Sequence, residues 1–126
     1  MLLRRKTVDT DVEEKILVGL IVSDSFCRDM KSMIQKESFE VPYIQTISRW
    51  VLSYYDKYKK ALQKNIQDIF FTEKKNLKEE DQELISSFLT RLSNEFENDS
   101  FNVDYLKDKA VMYLKKRSLK YISESI

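Results

Sequence analysis

Glycine and proline are almost missing from this sequence, and their scarcity constrains the fold more than any other feature. Glycine occurs once, at Gly19, and proline once, at Pro42. β-Sandwiches and β-barrels need several of these residues at their turns. Apolar residues recur instead at helical spacing along most of the chain. The sequence therefore predicts an all-α fold, a compact bundle of about six helices joined by short polar loops.

Length and charge indicate one domain without a strongly charged character. The chain has 126 residues, and its 22 Lys and Arg residues nearly balance 21 Asp and Glu residues. A net charge of +1 gives no whole-molecule attraction to nucleic acid or to acidic membranes. The longest apolar run, residues 16–22, is much shorter than the roughly 20 residues that cross a bilayer. With a single cysteine, Cys27, and no secretory signal pattern, we expect a cytoplasmic protein without a membrane partner.

Apolar spacing predicts a tail over residues 1–10 and a single helical domain over residues 11–122. Thr10 to Glu13 is predicted to be a capping box that starts the first helix, and Asn102 is predicted to cap the last one. The run from Thr72 to Lys78 lacks apolar periodicity and is predicted to be a loop. The helices are expected at about 11–22, 24–35 and 42–62, around Ile66 to Phe70, from Glu79 to Phe96, and at 102–122.

The predicted third helix carries more aromatic side chains than one core-facing stripe can bury. A heptad-like stripe is formed by Ile44, Ile47, Val51, Tyr54 and Tyr58. Trp50, Tyr54, Tyr55 and Tyr58 point in more than one direction around the helix. Two interpretations stay open: all four pack in the core, or some anchor a surface that another chain covers. These four residues are the candidate protein interface.

Missing residue types exclude most catalytic sites. Without histidine the chain has no imidazole base, no Ser-His or Cys-His nucleophile pair and no zinc site built on imidazole. A single glycine excludes the GxxxxGK[ST] phosphate loop and the GxGxxG dinucleotide fingerprint. The acidic group Asp9, Asp11, Glu13 and Glu14 lacks the glycine of a calcium loop, and we interpret it as a helix start. We predict no catalytic residue, no cofactor and no metal site.

Two groups of basic residues are interleaved with aromatic residues. One group, Lys57, Lys59, Lys60 and Lys64, ends the predicted third helix. The other is on the last helix, where Lys115, Lys116, Arg117 and Lys120 are the candidate nucleic-acid contacts. Cations near a helix C terminus also complement the helix dipole without any ligand. An alternative function is therefore a freestanding, small helical nucleic-acid-binding protein that uses the last helix.

Several short segments resemble a known family. Residues 13–20, Glu-Glu-Lys-Ile-Leu-Val-Gly-Leu, resemble the Glu-x-x-[Val/Ile]-Leu-x-Gly-Leu helix that opens the N-terminal domain of DnaB-family replicative DNA helicases, above all those of large tailed bacteriophages. Ser38-Phe39 is similar to the family's Asp-Phe or Tyr-Phe step. Residues 116–119, Lys-Arg-Ser-Leu, resemble the helix before the family's linker. The family's His-x-x-[Ile/Val]-Phe motif is absent from the third helix.

The resemblance implies a collar domain that helps to hold a helicase hexamer and docks primase or loader proteins during DNA replication. It implies a helical hairpin made of the third and fourth helices and used for self-association, with Trp50, Tyr54, Tyr55 and Tyr58 near the interface. The last helix, at 102–122, would lead toward a linker and a motor domain that is not in this sequence. Contact with DNA is expected to be weak or indirect.

Overall fold

The structure, a computed structural model, describes residues 2–35, 38–98 and 102–125, and the side chains of residues 10–35, 38–93 and 102–118. These residues form helices and no β-strand, so the predicted all-α class is confirmed. The helices are α1 (Leu2–Val22), α2 (Asp24–Met30), α3 (Pro42–Tyr58), α4 (Asn65–Glu73), α5 (Glu79–Asn98) and α6 (Val103–Ser125). Short 3₁₀ turns, Lys31–Met33 and Lys74–Asn76, follow α2 and α4.

Local capping signals start several helices as expected. The Oγ of Ser23 accepts a hydrogen bond from the backbone N–H of Phe26 at 3.1 Å, which caps α2. Asn102 caps α6 in the same way, since its Oδ1 accepts from the N–H of Tyr105 at 3.0 Å. Pro42 occupies the first turn of α3, where its missing N–H costs no hydrogen bond. These starts are encoded within four residues of sequence.

Several helix ends differ from the sequence-based expectation. α2 ends at Met30, short of residue 35, and α4 continues to Glu73, two residues into the predicted loop. α1 begins at Leu2, so residues 2–10 are helical where a tail was expected, and Thr10 lies inside the helix instead of capping it. α3 ends at Tyr58 and does not extend to residue 62. Lys59 stops it by adopting a left-handed conformation (φ 57°), with its N–H bonded to the carbonyl of Tyr55 at 2.7 Å.

α1 forms the centre of the molecule, with α2, α3 and α6 packed around it and α5 packed against α3. Its core-facing side chains are at most 1% exposed: Ile16, Leu17, Leu20 and Ile21. Other helices contribute fully buried side chains, among them Phe26, Ile44, Ile47, Phe88 and Ala110, and the segment before α3 contributes Phe39. Among the described residues, no helix has both the length and the apolar character needed to cross a membrane.

The buried stripe of α3 departs from the predicted heptad after Val51. Tyr55 is 8% exposed and packs in the core, whereas Tyr54 is half-buried and Tyr58 is 52% exposed. A straight α-helix has 3.6 residues per turn, so a strict 3.5-residue stripe drifts about 20° per heptad away from the buried face. On α5, apolar spacing predicts that Leu84 is on the buried face, but its side chain is 42% exposed. The same spacing predicts that Phe96 and Tyr121 face the core, and their side chains lie outside the described ones.

Candidate functional site

An open groove of about 600 Å³ lies between α3 and α4, and it is the candidate functional site. Trp50, Tyr54 and Tyr58 form one side of it, because a four-residue spacing aligns them in a row along α3. Ile69 and Thr72 of α4 form the opposite side. We call this feature the α3–α4 groove. It brings together three of the four aromatic residues that the sequence predicted for an interface.

The aromatic row is ordered but incompletely covered. The ring centroids of Tyr54 and Tyr58 are 4.6 Å apart with the planes tilted by 45°. The Nδ2 of Asn65 donates to the hydroxyl of Tyr54 at 3.1 Å, which links the start of α4 to the row. Trp50 and Tyr54 remain half-buried and Tyr58 is 52% exposed. The groove therefore offers preformed aromatic surface to a ligand.

The two sides of the groove carry opposite charges. Arg49 and Lys57 belong to the α3 side, whereas Asp68 and Glu73 belong to the α4 side. All but Glu73, which is half-buried, are exposed side chains. An incoming surface would therefore match the groove best if it had an apolar centre flanked by acidic groups on one edge and basic groups on the other.

α4 carries an exposed aromatic residue that does not line the groove. Phe71 is 82% exposed, and it lies on the side of α4 opposite the buried Ile66. Exposed aromatic residues are typical of surfaces that another molecule covers. No sequence pattern singled out Phe71, because α4 is short and its apolar residues are consecutive.

Tyr55, the fourth residue of the candidate interface, does not line the groove. Its ring is buried on another face of α3, where the Nζ of Lys31 lies 5.8 Å and the Nζ of Lys59 6.0 Å from the ring centroid. These distances allow cation–π attraction at the edge of the core. Tyr55 therefore packs within its own chain.

The basic residues predicted on α6 do not reach the groove. Lys115 and Lys116 are exposed and Arg117 is half-buried, while the side chain of Lys120 lies outside the described ones. α6 packs on α1 and α2. The structure therefore separates the candidate nucleic-acid contacts of α6 from the candidate protein interface of α3.

Glu13 has a structural role that the sequence did not reveal. Its side chain is fully buried, and its Oε2 accepts from the N–H of Glu40 at 2.8 Å and from the hydroxyl of Tyr113 at 2.5 Å. Its Oε1 accepts from the N–H of Val41 at 3.1 Å. Glu13 therefore holds the segment that leads into α3 and joins it to α6. It does not cap its own helix.

Glu14, the next residue, makes a second set of links. Its Oε2 accepts from the hydroxyl of Tyr43 on α3 and, at 2.6 Å, from the guanidinium of Arg91 on α5. Burial and the hydrogen bond to Glu14 raise the pKa of Tyr43 above its ordinary range. The carboxylates of Glu13 and Glu14 therefore connect α1 to other elements of the fold.

Within the part of the chain that the structure describes, no group of three or more acidic or cysteine side chains could hold a metal ion.

Cys27 is buried in the core. Its Sγ donates to the carbonyl of Leu20 at 2.8 Å, and burial, together with the nearby Asp24 carboxylate, raises its pKa to about 12. A thiol in this state is a core side chain and a poor nucleophile.

The raised pKa of Cys27 predicts a pH dependence of stability. The unfolded thiol ionises near its ordinary pKa of 9.0, whereas the folded thiol keeps its proton until about 12, so stability falls as the pH rises through this window. We expect the wild type to lose about 1–2 kcal/mol more than Cys27→Ala between about pH 8 and pH 10.5. Urea unfolding at both pH values measures the difference. Equal losses in the two proteins would contradict the prediction.

A scan against family models, a search of curated proteins and a search of solved structures found no match for this chain.

Proposed function

We propose that this chain is a non-catalytic interaction domain that binds other protein chains through the α3–α4 groove. The row formed by Trp50, Tyr54 and Tyr58 carries this proposal, because it presents aromatic surface that the rest of the described fold does not cover. Tyr and Trp are the residues that most often dominate binding energy in protein interfaces.

A second copy of the chain fits the charge pattern of the groove. In a twofold arrangement each surface patch meets the same patch on the partner. If the copies are related in this way, the basic α3 side of one, with Arg49 and Lys57, can face the acidic α4 side of the other, with Asp68 and Glu73. The aromatic row of each copy then packs against the α4 side of the other, where Ile69 and Thr72 lie. Self-association is therefore our first proposed activity.

The specific form of this proposal is the N-terminal collar domain of a replicative DNA helicase. The resemblance of residues 13–20 to the opening helix of DnaB-family domains supports it, as does an aromatic surface on consecutive helices, where that family would need a pairing surface. In this role the domain would hold helicase subunits together and dock primase or loader proteins in the cytoplasm of a bacterial host. The chain itself would bind no nucleotide.

Sedimentation equilibrium of the double variant Trp50→Ala/Tyr54→Ala tests the groove. Truncating central aromatic residues is expected to weaken self-association by about 2 kcal/mol or more, which is about 30-fold in the dissociation constant. The matched control is Tyr105→Ala/Met112→Ala, since these side chains are 61% and 73% exposed on α6, away from the groove. Association by the groove variant as strong as that of the wild type would contradict the proposal.

The gene beyond the codon for Ile126 tests the helicase form of the proposal. An in-frame GxxxxGK[ST] motif between a predicted strand and a predicted helix is expected there, because that motif marks an ATPase domain. A stop codon at that position would contradict the helicase form. The more general proposal, self-association through the groove, would then be tested by sedimentation equilibrium alone.

A further inference from the structure

The end of α3 and the turn that follows it carry a group of exposed lysines. We call residues 57–64 the basic knuckle. Its lysines, Lys57, Lys59, Lys60 and Lys64, all have exposed side chains. No acidic residue occurs between Asp56 and Asp68 in the sequence. Because five residues span at most about 18 Å, Lys59, Lys60 and Lys64 lie within reach of neighbouring phosphates on one strand.

The knuckle is anchored at its middle. Ala61 is 5% exposed and Leu62 is fully buried, so these two residues fix the backbone between the exposed lysines to the core. The N–H of Ala61 donates to the Oδ1 of Asp24 at 2.7 Å, and the N–H of Gln63 donates to the carbonyl of Ile21, also at 2.7 Å. These bonds attach the knuckle to the junction of α1 and α2. A ligand that binds there has little backbone to order.

The backbone of the knuckle adopts an uncommon conformation. Lys59 (φ 57°) and Gln63 (φ 50°) are both in the left-handed region, and neither is a glycine. Such conformations cost energy and persist where surrounding contacts hold them, which the bonds to α1 and α2 do here. They turn the chain sharply on both sides of Ala61 and Leu62.

An exposed aromatic ring stands beside these lysines. Tyr58 is 52% exposed, and the Nζ of Lys57 lies 5.4 Å from its ring centroid. The ring of Tyr54 packs against the ring of Tyr58. Proteins that bind single-stranded nucleic acid combine lysines for the phosphates with aromatic rings on which bases stack. The knuckle has both parts within a few residues.

Two of the acidic groups near the knuckle are already engaged. Asp24 accepts from the backbone of Ala61, and Asp56 is paired with Lys31, whose ammonium lowers the pKa of that carboxyl. Asp68 and Glu73 lie across the groove from Lys57 and Tyr58. The local charge still stays positive, because these four acidic residues are outnumbered by five lysines: Lys31, Lys57, Lys59, Lys60 and Lys64.

The first half of α6 is less suited to phosphate binding. Exposed Asp104 and Asp108 lie among its lysines, and Lys107 is paired with Asp29 at 2.6 Å. The second half carries exposed Lys115 and Lys116, so charge reversals at these two residues are the comparison for the knuckle.

We propose that the basic knuckle binds the backbone of single-stranded nucleic acid, with a base stacked on Tyr58. This activity goes beyond the proposed protein docking, and because Lys57 and Tyr58 belong to both surfaces, we expect self-association and nucleic-acid binding to compete. Binding that neutralises four phosphates should weaken about 50-fold between about 50 and 200 mM salt, because each contact contributes a slope of about −0.7. The polarisation of a fluorescently labelled oligothymidylate, titrated with the full chain, measures this salt dependence.

Matched charge reversals locate the site. The variant Lys59→Glu/Lys60→Glu/Lys64→Glu is expected to lose at least 10-fold in affinity. The control Lys74→Glu/Lys75→Glu/Lys78→Glu makes the same charge change at exposed positions near the other end of α4, and it is expected to lose less than threefold. Equal losses in the two variants, or no binding by the wild type at about 50 mM salt, would overturn the proposal.

Further variants distinguish the knuckle from α6 and from the α3–α4 groove as the binding site. Tyr58→Ala is expected to lose about 10-fold in affinity without a change in salt slope, because stacking carries no charge.

The variant Lys115→Glu/Lys116→Glu should bind the oligonucleotide as the wild type does. A loss of affinity greater than that of the knuckle variant would place the site on α6 and overturn the proposal. Binding to phosphatidylserine vesicles without binding to the oligonucleotide would also overturn it. Trp50→Ala keeps every knuckle lysine, so its retained DNA binding would support this site even if self-association proves absent.

Discussion

Replacing Glu13 with alanine is expected to lower the free energy of unfolding by about 3–5 kcal/mol, among the largest effects of any single substitution in this chain. The change leaves the N–H groups of Glu40 and Val41 and the hydroxyl of Tyr113 without their acceptor. Each buried donor that loses its partner costs about 1–3 kcal/mol, and the site is closed to water because Glu13 is fully buried. Urea unfolding followed by circular dichroism measures the loss.

Two milder variants show whether hydrogen bonding causes this loss. Glu13→Gln keeps one acceptor oxygen and the size of the side chain, so it should lose less than Glu13→Ala. Tyr113→Phe removes one donor and leaves both backbone bonds in place, so about 1 kcal/mol is expected. If Glu13→Ala loses less than Tyr113→Phe, the carboxylate does not organise the segment before α3.

The second large effect is expected at Gly19, where Gly19→Val should destabilise the fold by about 3 kcal/mol. A Cβ at this position would lie 2.9 Å from Cδ2 of Leu106 and 2.9 Å from the ring of Phe26, which is fully buried. The two further methyl groups of valine increase the overlap, and β-branching restricts its rotamers within a helix. Thermal unfolding and urea unfolding both measure the change.

Gly19→Ala provides a graded comparison. Alanine favours a helix interior over glycine by about 1 kcal/mol, which opposes the steric cost, so a smaller loss than that of valine is expected. Adding Leu106→Ala removes one of the clashing groups, and the double variant should lose less than the sum of the two single losses. A fully additive pair, or a Gly19→Val protein as stable as the wild type, would show that α1 and α6 do not approach closely at this glycine.

The features predicted correctly from the sequence are those that depend on neighbouring residues. Ser23 and Asn102 cap their helices through bonds to the third residue along, so the signal and its effect share one short segment. The buried stripe of α3 was right at Ile44, Ile47 and Val51, and it failed after that because the twist of a helix accumulates with length. The heptad-like stripe placed Tyr54 on the core-facing side of α3. In the structure Tyr55, its neighbour in sequence, is buried and Tyr54 is half-buried.

The features missed from the sequence depend on distant residues. Glu13 binds groups that lie 27, 28 and 100 residues further along the chain, so its position in an acidic group favoured a local capping role. The aromatic surplus of α3 correctly drew attention to Trp50, Tyr54 and Tyr58 as residues that one stripe could not bury. The α4 side of the groove has no comparable signal, since α4 packs through Ile66 and leaves Phe71 exposed.

The bond between Glu13 and Tyr113 also has a consequence for the order in which the chain assembles. Synthesis proceeds from the N terminus, so α1 to α5 leave the ribosome before α6 does. Until α6 docks, the carboxylate of Glu13 lacks one of its donors, and the face of α1 that α6 covers remains in contact with water. A nascent chain held before residue 113 should therefore exchange its α1 amides with solvent faster than the finished chain does, and the native core of this protein is completed by its last helix.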